Sequence, residues 1–131
     1  MTPEEQLSGR TILLVDDDPR NVFALTSYLE LMGMHILTAD NGFDAIRILK
    51  NGEKVDVVLM DMMMPEMDGF ETISKIRQEQ TIRAMPIIAV TAKAMKGDRE
   101  KCLEAGANEY VSKPVDLQEL LTKMARCLLQ V

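Results

Sequence analysis

Ile12-Leu13-Leu14-Val15-Asp16-Asp17 is an unbroken apolar run of four that stops on two carboxylates. A strand buried on both faces of a parallel sheet reads as a continuous Val/Ile/Leu stretch, whereas a half-exposed strand alternates. Further runs of this kind follow. Val55 to Met60, broken by Asp56, stops on Asp61; Ile87-Ile88-Ala89-Val90 stops on Thr91; the short Tyr110-Val111 is followed two residues on by Lys113. Ile36-Leu37-Thr38-Ala39 supplies a fifth strand. Ligands of open α/β sheets bind beyond the carboxyl ends of the strands, so one crevice can hold Asp16, Asp17, Asp61, Thr91 and Lys113.

Helical patterns fill the gaps between the runs. Asp18-Pro19 reads as an N-cap followed by proline at the first helical position, and Val22, Leu25, Leu29 and Met32 then repeat at helical spacing up to Gly33. A second helix carries Ala45, Ile46 and Leu49 before Asn51-Gly52, and a third carries Phe70, Ile73 and Ile76. The fourth, from about Lys96 to Ala105, is polar and ends at Gly106, a left-handed C-cap. The last opens on Asp116 with Glu119 three residues on and presents Leu117, Leu120, Leu121, Met124 and Leu128 on one face. The order βα repeated five times, joined by right-handed crossovers, gives an α/β fold with a doubly wound, five-stranded parallel sheet in the order 2-1-3-4-5. The chain reverses between strands 1 and 3, which places the crevice at Asp16, Asp17 and Asp61.

Composition narrows the function. A chain of 131 residues, 47% of them hydrophobic, matches one domain with a full core, read as residues 10–131 behind an N-terminal extension of residues 1–9. A net charge of -6 with scattered basic residues argues against direct nucleic-acid binding. No apolar run approaches the roughly 20 residues that span a bilayer, so no membrane insertion is expected and the chain is assigned to the cytoplasm. Cys102 and Cys127 lack metal-ligand spacing and are expected to be buried thiols; His35, the single histidine, is expected to be half-buried and structural.

Three carboxylates in one crevice repel, at a cost of about 4 kcal/mol for two unit charges about 4 Å apart at an effective dielectric near 20. A hard divalent cation reverses the sign, and oxygen-only donors favour Mg²⁺, with Mn²⁺ as the alternative. Lys113 and Thr91 offer a point charge and a hydroxyl to phosphate oxygens, and an aspartate is an established phosphoryl acceptor, so Asp61 is the candidate nucleophile. The chain carries no glycine-rich phosphate loop for a nucleotide donor.

Four stretches then spell out a family: Ile12 to Asp18, Leu59-Met60-Asp61-Met62-Met63-Met64-Pro65-Glu66-Met67-Asp68-Gly69, Val90-Thr91-Ala92 and Val111-Ser112-Lys113-Pro114. In this order and spacing, from about Arg10 to Leu128, the chain closely resembles the receiver domain of two-component response regulators, which has a flavodoxin-like fold. The resemblance implies that Asp61 takes a phosphoryl group from a phosphohistidine on a histidine kinase or histidine phosphotransfer protein. It implies Mg²⁺ held by Asp17, Asp61 and the backbone carbonyl of Met63, with Asp16 acting through a metal-bound water, Lys113 pairing with the phosphoryl group and a cis bond to Pro114. Asp18 is assigned to capping the first helix. Thr91 and Tyr110 would be the switch pair, changing the face formed by the fourth helix, fifth strand and fifth helix to control a protein effector or kinase core, or to form a phosphorylation-dependent dimer. Such a domain promotes its own phosphotransfer and dephosphorylation without being an enzyme in the ordinary sense.

Phe23-Ala24-Leu25-Thr26 and the stretch from Thr91 to Arg99 with Cys102 look similar to receivers joined to the C-termini of hybrid histidine kinases. No second domain follows Val131, so no DNA-binding or enzymatic output is expected within these residues, and both an excised hybrid-kinase module and a free-standing relay protein stay open. A Mg²⁺-dependent phosphohydrolase with an aspartyl-phosphate intermediate would place a second acidic residue where this chain has Met63. A degenerate interaction-only receiver would not keep Asp16, Asp17, Asp61, Thr91 and Lys113 together. The resemblance further implies that Met63, two residues after the nucleophile, and Lys93, two after Thr91, would overhang the acyl phosphate and tune its lifetime. Because an apolar side chain at Met63 hinders water, Met63→Asn is expected to shorten the lifetime of the phosphorylated protein. Decay of the phosphoryl adduct in the two proteins measures this, and equal rates would refute it.

Overall fold

The computed structural model describes residues 1–92 and 97–129. In chain order the elements are α1 (Pro3–Leu7), β1 (Thr11–Val15), α2 (Pro19–Leu31), β2 (His35–Ala39), α3 (Gly42–Lys50), β3 (Val57–Asp61), α4 (Gly69–Gln78), β4 (Ile87–Thr91), α5 (Asp98–Ala105), β5 (Glu109–Ser112) and α6 (Leu117–Leu128). The five strands form one parallel sheet in the order β2-β1-β3-β4-β5, as the sequence predicts.

Successive side chains of a strand point to opposite faces, so each central strand feeds two cores. Ile12 and Leu14 of β1, with Val57, Leu59, Ile88 and Val90, pack under α2 and α6. Leu13 and Val15, with Val58, Met60, Ile87 and Ala89, pack under α3, α4 and α5. The continuous apolar runs are thus explained: β3 and β4 are buried along their whole length.

Helix starts follow their caps. The Asp18 carboxylate accepts the Arg20 amide at 2.9 Å above Pro19, which opens α2, and Asp116 accepts the Glu119 amide at 3.1 Å to open α6. The polar α5 buries Cys102 and ends at Gly106, whose φ of 119° only glycine adopts readily. The residues before Gly97, including the predicted start at Lys96, lie outside the described residues.

Three features depart from the sequence reading. The third strand begins at Val57 rather than Val55, because Asp56 turns its carboxylate to the Thr11 amide at 2.9 Å and to Arg10 at 3.6 Å, tying the start of β1 instead of extending a core strand. His35 is exposed: it begins β2, an edge strand, where one flank and one face meet solvent. The N-terminal segment, read as an extension, contains a helix. Thr2 and Glu5 form a reciprocal capping box, and Leu7 is fully buried in the core beneath α6. Leu7→Ala is therefore expected to cost about 2–4 kcal/mol, the usual range for emptying a buried leucine site. Urea unfolding checks it; a neutral effect would mean that α1 is an appendage.

Candidate functional site

Strand register assembles the site. Val15 of β1 stands opposite Met60 of β3, so the residues that follow them, Asp16 and Asp61, emerge side by side. Asp61 pairs with Val90 of β4, and Thr91 pairs with Ser112 of β5, which brings Thr91 and Lys113 to the same edge; the Lys113 amide donates to the Thr91 carbonyl at 2.7 Å. The bond from Lys113 to Pro114 is cis.

Asp16, Asp17 and Asp61 each present an oxygen within 4.8 Å of the others. Asp16 and Asp61 are buried and Asp17 is exposed, so the cluster is a floor with one open wall. The Lys113 ammonium lies 3.7 Å from Asp61 Oδ1 and 3.8 Å from Asp16 Oδ2. Backbone amides add partial charges: Asp18 donates to Asp16 Oδ1 at 2.8 Å and Met63 donates to Asp61 Oδ1 at 3.1 Å. Thr91 is buried at the next strand end. Around the mouth, Met62 and Met64 are buried while Met63 is 53% exposed.

Burial, reinforced by the Asp16 charge, pushes the Asp61 carboxyl up to about 6; the Met63 amide and Lys113 pull in the opposite direction without cancelling it. One ammonium against three carboxylates leaves a net negative floor. Three carboxylates with no imidazole or thiolate among them fit a hard divalent cation, and Asp16, Asp17 and Asp61 are the side chains that could hold it.

Helix α4 needs Gly69 at its start, because a Cβ there would come within 2.6 Å of the Met62 Cα and 2.7 Å of the Asp61 carbonyl oxygen. Tyr110 is half-buried on β5, and its hydroxyl is pushed up by burial and by the neighbouring Asp98. Asp98 Oδ2 is itself buried with no hydrogen-bond partner among the described residues. Lys93 lies outside the described residues. Cys102 and Cys127 are free and buried, and burial pushes both thiols up to about 11.

Sequence reasoning missed Arg77, Asn108 and Asp98. Arg77 donates to the carbonyls of Gly106 at 2.9 Å and of Arg83 and Met85 at 2.7 Å, and to Asn108 Oδ1 at 2.9 Å; Asn108 Oδ1 also accepts the Ile87 amide at 2.8 Å. This bracket holds the start of β4 and the turn into β5, the two strands that carry Thr91 and Lys113. No local pattern marks it, since Arg77 resembles any cation in the last turn of a helix.

The folded state raises the Asp61 pKa above its unfolded value, so protonation favours folding. Metal-free protein should therefore gain stability as pH falls from 7 through 6. Asp61→Asn removes the repelled charge and is expected to be more stable than wild type at pH 7 by about 1–2 kcal/mol, discounted for the open wall, with the advantage vanishing near pH 4. Thermal or urea unfolding in chelator across this range measures both; a constant offset would contradict the electrostatic account.

Comparison with known proteins agrees with this geometry. The profile of the response regulator receiver domain matches residues 12–125. Protein PilH of Pseudomonas aeruginosa is 40% identical over 84% of this chain and 90% of its own length. The sensor histidine kinase GacS of Pseudomonas protegens is 39% identical over 90% of this chain, which spans only 13% of GacS. Among solved structures, the receiver domain of the sensor histidine kinase PA1611 from Pseudomonas aeruginosa, with a magnesium ion coordinated in its active-site cleft, superposes with a TM-score of 0.84 at 37% identity, covering 92% of this chain and 98% of that one. A match of this length, on a sheet of this order, settles the family: the chain is a response regulator receiver domain, a signalling domain of two-component systems.

Proposed function

We propose that Asp61 is the phosphoacceptor, taking a phosphoryl group from a phosphohistidine of a histidine kinase or histidine phosphotransfer protein. The observation that carries this reading is a buried carboxylate held by the Met63 amide at 3.1 Å and faced by the Lys113 ammonium at 3.7 Å. In the transfer, an Asp61 oxygen forms the new bond to phosphorus as the phosphorus–nitrogen bond breaks, and the electron pair leaves with the imidazole. Asp61 must be ionised to attack, so Lys113 serves twice: it favours the carboxylate beforehand and pairs with phosphoryl oxygens afterwards.

Asp17, Asp61 and the Met63 carbonyl would hold Mg²⁺, with Asp16 acting through a water; Mn²⁺ is the alternative ion. When bound, the cation supplies neutralisation of the carboxylates and of the incoming phosphoryl charge. Thr91, buried at the end of β4, donates its hydroxyl to a phosphoryl oxygen. Its displacement makes room for the Tyr110 ring to turn inward and changes the surface of α5, β5 and α6 that a protein effector or kinase core reads. A phosphorylation-dependent dimer through that surface is a further outcome. Met63, which is exposed, and Lys93 set access of hydrolytic water. The domain acts as a signalling acceptor that assists its own phosphotransfer and dephosphorylation, in the cytoplasm and without nucleic acid; no described helix is long and apolar enough to cross a membrane.

In a second reading these residues are the receiver module of a hybrid sensor histidine kinase. The similarity to a short part of GacS supports it, while that to nearly all of PilH supports a free-standing protein.

Incubation with acetyl phosphate and Mg²⁺ followed by intact mass is expected to show one acid-stable, base-labile phosphoryl group on wild type and none on Asp61→Asn. Lys113→Ala should lower the yield without abolishing folding. An adduct of equal yield on Asp61→Asn would move the acceptor elsewhere. If wild type stays unmodified, a phosphorylated histidine donor repeats the test.

A further inference from the structure

The methionines divide sharply by exposure. Met34, Met60, Met62, Met64, Met67 and Met124 are at most 8% exposed, and Met32 and Met85 are half-covered. Among the described residues, Met63 at 53% and the N-terminal Met1 at 91% are the exposed ones. Met63 is also fixed against the site, since its amide bonds Asp61 Oδ1 at 3.1 Å. Its side chain borders an open cleft of about 340 Å³ shared with Met62, Met64, Asp68 and Phe70, wide enough for small solutes. The cysteines, which would ordinarily compete for an oxidant, are withdrawn: Cys102 and Cys127 are buried, and burial keeps both as thiols rather than reactive thiolates.

We propose that Met63 is a peroxide-sensitive modification site, whose oxidation to the sulfoxide hastens loss of the phosphoryl group from Asp61 and so makes the signal lifetime depend on oxidant. The proposal rests on the reading of Asp61 as phosphoacceptor and adds a regulatory input to it. The thioether sulfur of Met63 attacks one oxygen of hydrogen peroxide, the O–O bond breaks, and the second oxygen leaves as water after proton transfer. Sulfur loses two electrons and peroxide gains them. The product is a polar S=O group in place of an apolar chain. The thioether of a methionine beside an acyl phosphate offers a water molecule only a weak acceptor; a sulfoxide oxygen is a strong one and can hold the water next to phosphorus. Methionine sulfoxide is reversible by reductases, so the change can be undone.

The test has two independent readouts. Peptide mass mapping after mild hydrogen peroxide should place sulfoxide at Met63, with the buried methionines and both cysteines unchanged. Oxidation of core methionines while Met63 stays intact would overturn the proposal at its first step. Reduced and oxidised proteins are then loaded from acetyl phosphate and Mg²⁺, freed of donor, and followed by intact mass. Oxidised protein should lose its phosphoryl group about fivefold faster, the factor equivalent to one net hydrogen bond to the attacking water. Treatment with methionine sulfoxide reductase should restore the slow decay, and peroxide should leave the decay of Met63→Leu unaltered. Matching thermal unfolding curves before and after oxidation exclude general damage, and a lowered transition in the oxidised protein would overturn the proposal by assigning the effect to unfolding. Unchanged decay with Met63 fully oxidised would overturn this inference and leave the acceptor reading standing. Failure of every form to take a phosphoryl group, even from a phosphorylated histidine donor, would overturn both.

Discussion

Everything around the site answers to one constraint: a parallel sheet that pairs β1 with β3 sets the carboxylates of Asp16 and Asp61 side by side, and neither can retreat into the core. The repulsion is of order several kcal/mol in a half-dry crevice. Lys113 reaches both carboxylates at 3.7–3.8 Å, and the amides of Met63 and Asp18 each cover one oxygen, yet the Asp61 carboxyl still rests near pH 6. The site is therefore built with a charge deficit. Three carboxylates against one ammonium suit a hard divalent cation; a site neutralised by a second lysine would not.

Holding like charges together requires a scaffold that does not yield, and the two-faced core supplies it. Side chains of β1 and β3 alternate between one core under α2 and α6 and another under α3, α4 and α5, so a strand cannot slide without exposing both. Gly69 lets α4 start against the Asp61 carbonyl, which leaves the loop carrying Met63 little room to relax. At the opposite end of the sheet, Asp56 clamps the first amide of β1. Stability stored in these contacts keeps the acidic floor assembled against its own repulsion.

How much of this the sequence carried depends on whether a feature is written locally. The apolar runs ending on Asp16, Asp61 and Thr91 are local, and they suffice for the sheet, its order and the crevice. The caps at Asp18, Asp116 and Gly106 are local too and mark their helices to within two residues. Helix α1 escaped notice because five residues are too few for a periodicity and a single side chain, Leu7, is buried; its Thr2–Glu5 capping box was the available signal. The exposure of His35 is not legible locally, because exposure at the start of an edge strand is a property of topology. Arg77 could not be read at all, since its partners Arg83, Met85, Gly106 and Asn108 lie on other segments and three of its four acceptors are backbone carbonyls.

The short path from the site to the outer surface follows from the same register. Lys113 and Thr91 are joined through the Lys113 amide, so the two groups that would meet a phosphoryl oxygen move as parts of one ladder. Thr91 pairs with Ser112, and two residues before Ser112 the carbonyl of Tyr110 accepts a hydrogen bond from the ammonium of Lys123 on α6. Lys123 in turn faces Glu119 at 3.5 Å, and Arg126 one turn on faces Glu109 of β5 at 3.3 Å. Each of these pairs has one half-buried and one exposed partner, and partly solvated ion pairs of this kind are weak individually, about 1 kcal/mol, so the β5–α6 surface can be re-paired while the core beneath it stays packed. Asp98, with one buried oxygen lacking a partner among the described residues, stands beside Tyr110 at the start of α5. A rigid floor of carboxylates on β1 and β3 thus sits, with β4 between, beside a β5–α6 surface held by interactions weak enough to exchange.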